Sequence, residues 1–168
     1  MQNIGIFYGS DTGNTEDAAK LLQQGFGADK AQIFDVANAK ATDMVQFTNL
    51  IFGSSTWGEG DMQEDFEDFI PEIKSANMEG KKVAIFGCGD QEAYADSFVD
   101  AIGLIYEALD GKGCEVVGKV STDSYEYDES QAEIDGQFVG LPLDEDNESN
   151  LTGDRIKEWV EQLKKEFN

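Results

Sequence analysis

A doubly wound α/β sheet with helices on both faces is predicted by three features of this sequence. Short apolar runs of strand length recur along the chain, segments of helical period separate them, and small polar residues cluster directly after several of the runs. The runs are Ile4 to Tyr8, Gln32 to Val36, Leu50 to Gly53, Val83 to Phe86 and Glu115 to Val120. Strands joined by helical crossovers pair in parallel, and right-handed crossovers place ligand loops beyond the carboxyl ends of the strands.

The connecting segments carry the helical stripe that such a sheet requires. Phe98, Ala101, Ile102, Ile105, Ala108 and Leu109 share one face, and Gly111 is placed to end that helix in a left-handed conformation. Ile156, Trp159, Val160, Leu163 and Phe167 form a second stripe, with Thr152 expected as N-cap and Lys164 and Lys165 complementing the negative helix end. Trp159 is therefore expected to be structural. Ser121 to Asp135 interrupts the alternation before a further extended candidate, Phe138 to Leu143, and reads as an insertion. Its Tyr125 and Tyr127 are expected to cover the sheet. No repeat or linker divides the chain, so residues 1–168 are expected to form one domain.

Composition narrows the chemistry. Thirty-five Asp and Glu against twelve Lys and Arg give a net charge of −23, which argues against nucleic acid and anionic membranes and favours basic-faced protein partners. The sequence has no histidine, which removes Ser-His-Asp and Cys-His catalysis and His-ligated haem. Cys88 and Cys114 form no CxxC pair and fall short of the thiolates of a structural zinc or iron–sulfur site, so no metal site is expected. Met1 leads straight into an apolar strand without a basic flank, and no segment has the length of a membrane span. A reduced, cytoplasmic setting without an export signal is expected.

Three loops carry the candidate site. Ser10-Asp11-Thr12-Gly13-Asn14-Thr15 follows the first strand and opens a helix through Ala18, Ala19, Leu22 and Phe26. Free N–H groups and the positive helix end attract an anion there, Gly13 permits close approach of the backbone, and Ser10, Thr12 and Thr15 add hydroxyl donors. Neither a Walker A loop nor GxGxxG is present, and simple helix capping explains the same residues equally well. After the third strand, Ser54-Ser55-Thr56-Trp57-Gly58-Glu59-Gly60 places an indole in a polar, glycine-rich loop, outside any amphipathic stripe. A loop anchor packed on the domain is the alternative. After the fourth strand, Cys88-Gly89-Asp90 leads through Tyr94 to Ser97 and supplies a second loop aromatic. A phosphate cradle and two aromatics on one sheet edge describe a site for a planar ring with a phosphate tail.

On these residues the sequence resembles the flavodoxins over essentially its whole length. Ser10 to Thr15 matches the family's [ST]-x-T-G-x-T phosphate motif, Thr56-Trp57 the loop over the inner flavin face, and Gly89-Asp90-Gln91 followed by Tyr94 the loop whose tyrosine stacks on the outer face. The stretch from Ser121 to about Asp144 resembles the insertion that splits the fifth strand in the long-chain subgroup. The resemblance implies a five-stranded sheet of order 2-1-3-4-5 and flavin mononucleotide (FMN) as cofactor. It also implies a cofactor site of Ser10, Asp11, Thr12, Gly13, Asn14, Thr15, Thr56, Trp57, Gly58, Glu59, Gly60, Cys88, Gly89, Asp90, Tyr94 and Ser97, with no catalytic residue.

The function so implied is that of a monomeric low-potential electron carrier, not a stand-alone enzyme. Its partners would be basic-faced redox proteins: ferredoxin/flavodoxin-NADP reductases, other oxidoreductases, and photosystem I or nitrogenase reductase according to host. Acidic surroundings without a Lys or Arg in the three loops penalise an anionic reduced ring, hence the low potential. Gly58 allows its following peptide to rotate and present a carbonyl to a protonated ring nitrogen. Two rivals share the topology. A flavin-dependent quinone reductase needs an open pocket that two covering aromatics would close. A receiver domain needs paired acids after the first strand and an Asp after the third, where this chain has Ser10 and Ser54 to Thr56.

Overall fold

In the computed structural model, which describes residues 3–168, the apolar runs form a central parallel sheet. The expectation that rests on Met1 lies outside the described residues. β1 (Ile4–Gly9), β2 (Ala31–Asp35), β3 (Asn49–Trp57) and β5 (Lys82–Cys88) lie in the order β2-β1-β3-β5, and the short β4 (Asp61–Met62) runs antiparallel to the end of β3. The outer side of β5 carries two short strands. β6 (Glu115–Val117) pairs with Lys82 to Ala84, and β10 (Leu141–Leu143) pairs with Phe86 to Cys88. The fifth strand of the expected order is therefore present in two pieces. Between them β7 (Val120–Ser121), β8 (Glu133–Ile134) and β9 (Gln137–Phe138) form a separate three-stranded antiparallel sheet.

Helices cover both faces because the strands are apolar on both. Within β1, Ile6 and Tyr8 face one core with α1 (Asn14–Phe26) and α5 (Ser149–Glu166), which contribute Ala19, Leu22, Ile156 and Trp159. Phe7 points the other way, toward α3 (Glu64–Ser75) and α4 (Asp100–Ala108), and stacks on Phe34 at 4.5 Å. The short α2 (Ala41–Met44) adds Met44 to that second core. The stripe from Phe98 to Leu109 is buried as expected, and Gly111 takes φ +74° beyond the helix end. Tyr125 packs on Phe98 and Phe138 with ring centroids 5.8 and 5.2 Å away and donates to the Pro142 carbonyl at 2.7 Å. It covers the core, as expected of the insertion.

Several boundaries differ from the sequence reading. β3 continues past Gly53 to Trp57 because Thr56 and Trp57 pair with β4, so both residues close a strand instead of lying in the loop after it. Val36 belongs to a 3-10 turn because the Asp35 carboxylate accepts from the Ala37 N–H at 2.9 Å and ends β2 early. The run Glu115 to Val120 is broken at Gly118, whose φ is +82° and whose carbonyl accepts the Trp159 indole N–H at 2.9 Å. Thr152 is not the N-cap of α5: the helix begins at Ser149, Glu148 occupies the cap, and Thr152 is buried a turn inside. The entry is early because Asp144 captures the preceding turn, accepting the Glu148 N–H on its carbonyl and the Asn147 N–H on its carboxylate.

No helix of the described residues is long and apolar enough to cross a membrane. Among the described residues the ion pairs engage only Glu16, Glu72, Glu148 and Glu161, so most of the thirty-five acids repel one another without a cation. Raising NaCl from 10 to 200 mM is expected to lift the thermal midpoint by about 3–6 °C through screening. A calorimetric midpoint that is flat or falling over that range would show that self-repulsion does not limit stability.

Candidate functional site

The register brings the strand ends together at one edge. Gly9 lies beside Ser54, while Ser55 and Leu143 both lie beside Cys88, so the loops after β1, β3, β5 and β10 emerge side by side. The helices leaving β1 and β3 cover opposite faces, which opens the crevice typical of a doubly wound sheet between them.

The first loop ends in an anion-ready helix start. Gly13 caps α1 at φ +96°, a conformation a side chain resists, and its N–H donates to Ser10 Oγ at 3.1 Å. The N–H groups of Asn14, Thr15 and Glu16 have no acceptor within the helix, whose first bond runs from Asp17 N–H to the Gly13 carbonyl. Thr12 and Asn14 are exposed at the mouth. Thr15 is buried and hydrogen-bonded to the Cys88 thiol, so its hydroxyl braces the loop from behind. Asp11 accepts from Gln63 Nε2 at 3.0 Å, and the same buried Gln63 caps α3 by accepting the Phe66 N–H at 2.9 Å.

Trp57 and Tyr94 are 41% and 43% exposed, which is unusual for large aromatics on a water-facing edge. The Thr56 hydroxyl accepts the Ala101 N–H at 3.0 Å, fixing the end of β3 to α4. Gly58 has φ +53°, and its carbonyl accepts from the buried Ser97 hydroxyl at 3.4 Å. Ser55 Oγ is buried without a partner, a rare condition for a hydroxyl and one that points to an absent acceptor or donor.

In the third loop Asp90 builds a turn. Burial pushes its carboxyl up, but bonds from the Ala93 N–H, the Asn147 amide and the Glu92 N–H outweigh that and hold it below the ordinary carboxylate range. Burial pushes the Cys88 thiol up to about 12, so it is a packed thiol and not a nucleophile. The fourth loop, after β10, was not singled out from the sequence. Burial and the charges of Asp90, Asp144 and Glu145 raise Asp146 above its ordinary value.

One cleft joins these loops, lined by Thr12, Asn14, Ser55, Thr56, Trp57, Cys88, Gly89, Asp90, Tyr94, Glu145 and Asp146. Of the residues expected from sequence, Ser10, Asp11, Gly13, Thr15, Gly58, Glu59, Gly60 and Ser97 stand behind or beside this lining. Ser55, Glu145 and Asp146 are additions. The signal for the last two was the split fifth strand itself: once Phe138 to Leu143 is read as its second half, the loop after it must share the edge.

A cleft at the switch point of a doubly wound sheet, with an anion-ready helix start at one end and two exposed aromatics at the other, defines a nucleotide-type binding protein. The flavodoxin family model matches residues 6–159. A flavodoxin of Nostoc sp. is 48% identical over 166 residues, covering 99% of this chain and 98% of the relative. A flavodoxin of Buchnera aphidicola is 47% identical over 169 residues, covering 100% and 99%. The crystal structure of Fusobacterium nucleatum flavodoxin bound to flavin mononucleotide superposes with a TM-score of 0.94 at 34% identity, covering 100% of each chain. The chain belongs to the flavodoxin family.

Proposed function

We propose that this protein binds FMN non-covalently and carries electrons between redox proteins, and that residues 1–168 act as one domain in doing so. The observation that carries the reading is the pair of exposed aromatics, Trp57 and Tyr94, set at the mouth of a cleft that also receives an uncompensated helix start. The donor set fits the cofactor: N–H groups and hydroxyls suit a phosphate, the orphaned Ser55 hydroxyl suits a polar tail, and the aromatic faces suit a tricyclic ring. FMN, when bound, supplies one- and two-electron chemistry.

The chain's own groups do the rest. The 10–15 loop binds the phosphate without a cation, Trp57 and Tyr94 exclude water from the ring faces, and polar groups near Gly58, Glu59, Gly89, Asp90 and Ser97 meet its edge. As a member of the flavodoxin family, the protein is a carrier and not a stand-alone enzyme. Titrating apoprotein with FMN should quench Trp57 fluorescence at one equivalent. Saturation never reached at millimolar FMN would overturn the reading.

The acidic rim makes the carrier a low-potential one. Charge arriving in this cleft meets Asp90, Glu145 and Asp146 with no Lys or Arg in the surrounding loops. A charge within about 10 Å interacts by about 1–2 kcal/mol at an effective dielectric of about 20–40. Because 1.4 kcal/mol corresponds to about 59 mV for one electron, Asp146→Asn is expected to raise the potential of the last one-electron step by about 40–85 mV. A redox titration in which that potential stays put or falls would remove the rim from the explanation. The same surface suits monomeric, salt-sensitive docking to basic-faced oxidoreductases of the NADP-reductase type in the cytoplasm, with photosystem I or nitrogenase reductase as host-dependent alternatives.

A further inference from the structure

We propose that Gln91 is a positioning residue: both ends of its buried amide lock the loop bearing Asp90 and Tyr94 to the split fifth strand's insertion and to α5, so that the ring-covering tyrosine is placed before any ligand arrives. The proposal rests on the FMN reading for its consequence and on geometry for its cause.

Between the end of β5 at Cys88 and the start of α4 at Asp100 the chain has no strand ladder or α-helix to shape it. Tyr94, 43% exposed, is held by little of its own packing, so its place is set by the loop's anchors. Gln91 is the central one and is 5% exposed. Its Oε1 accepts the Glu126 N–H at 2.6 Å, from the insertion, and its Nε2 donates to Glu148 Oε1 at 2.5 Å, from the cap of α5. Its own N–H donates to Asp144 Oδ2 at 3.0 Å.

The chemistry demands this side chain. A backbone N–H requires an acceptor and a carboxylate requires a donor, and a carboxamide offers both at once, on separate atoms and without needing a proton from solvent. The far ends are themselves rigid. Glu148 is paired with Arg155 at 2.9 Å, and that guanidinium lies 4.2 Å above the Tyr125 ring. Beyond Tyr94, the N–H groups of Asp128 and Glu129 both donate to the Ala95 carbonyl at 2.9 Å, so the insertion clamps the loop on either side of the tyrosine. These contacts form a continuous link from α5 and the insertion to the cleft, and none of them touches the cleft directly.

Removing the amide takes one hydrogen-bond partner from the part-buried Glu126 N–H and one from the Glu148 carboxylate, which keeps Arg155, a defect local to this loop. Gln91→Ala is therefore expected to speed amide hydrogen exchange at residues 90–97 of the apoprotein and to weaken FMN binding about tenfold, with the global thermal midpoint nearly unchanged. Gln91→Glu sets two carboxylates against each other and should show the same loss at pH 8, with affinity recovering as pH falls and the pair takes up a proton. Adding Glu148→Gln to that variant restores the donor and should restore both exchange and affinity even at pH 8, which a loss of packing would not. Wild-type protein that fails to bind FMN sinks the functional reading alone, since exchange in the apoprotein still reports on Gln91. Wild-type protein that binds while both Gln91 variants bind equally well, or absence of rescue in the double variant, overturns the proposal.

Discussion

Trp159→Ala is expected to lower the free energy of unfolding by about 3–5 kcal/mol, the range for removing a large buried aromatic. Trp159 is 2% exposed on α5 and meets Phe86 of β5 edge to face, with ring centroids 6.5 Å apart. Its indole also lies 3.0 Å from where a Cβ on Gly118 would stand, at the point where the fifth strand breaks. Truncation therefore opens a cavity, removes a hydrogen bond to the Gly118 carbonyl and releases the chain where it enters the insertion. Trp159→Phe keeps much of the volume but leaves that carbonyl unmet, and should cost about 1–3 kcal/mol. Urea unfolding of the apoprotein followed by far-UV circular dichroism measures both. A loss below about 1 kcal/mol for the alanine variant would mean that the helix repacks over the gap.

The sheet was legible because its strands are buried on both faces, so Ile4 to Tyr8 and Val83 to Phe86 appear as unbroken apolar runs. Boundaries were less legible because polar side chains decide them through contacts the sequence hides. Asp35 ends β2 by capping a turn, and Asp144 starts α5 early by gathering the Asn147 and Glu148 N–H groups. The cleft was readable where a strand end or loop carries an unusual residue, as with Trp57 at the end of β3 and Tyr94 and Gly13 in loops. It was not readable where ordinary residues act through burial. Gln63 stands in no motif and Gln91 enters only as a member of the Gly89-Asp90-Gln91 loop, yet each is buried and ties two loops together. The Thr15 hydroxyl meets the Cys88 thiol behind the loop, while its N–H stays among the open donors of the helix start. Glu145 and Asp146 joined the site only because β10 completes the fifth strand, a pairing between residues 86–88 and 141–143 that no local pattern announces.

Riboflavin, which lacks the phosphate, is expected to bind at least about 10³-fold more weakly than FMN. The N–H groups of Asn14, Thr15 and Glu16 have no acceptor within α1, and the Thr12 and Ser10 hydroxyls lie beside them. Each bond from such a donor to a charged oxygen contributes about 1.5–3 kcal/mol, so three of them exceed the roughly 4 kcal/mol that a thousandfold requires. Two opposing effects set the lower bound. Glu16 and Asp17 lie in the same helical turn, and the net charge of −23 repels a dianion from a distance. Glu16 is partly neutralised by Lys20 at 3.6 Å and accepts from the Tyr8 hydroxyl, which turns its charge away from the loop. Salt therefore acts opposite to the usual sense for a phosphate site: with no cation to screen and much repulsion to relieve, FMN affinity should rise between 10 and 200 mM NaCl. Inorganic phosphate should compete with FMN and not with riboflavin. Fluorescence titrations of the apoprotein with both flavins decide the matter. Affinities within tenfold of each other would mean that the ring alone carries binding and that the helix start is merely capped.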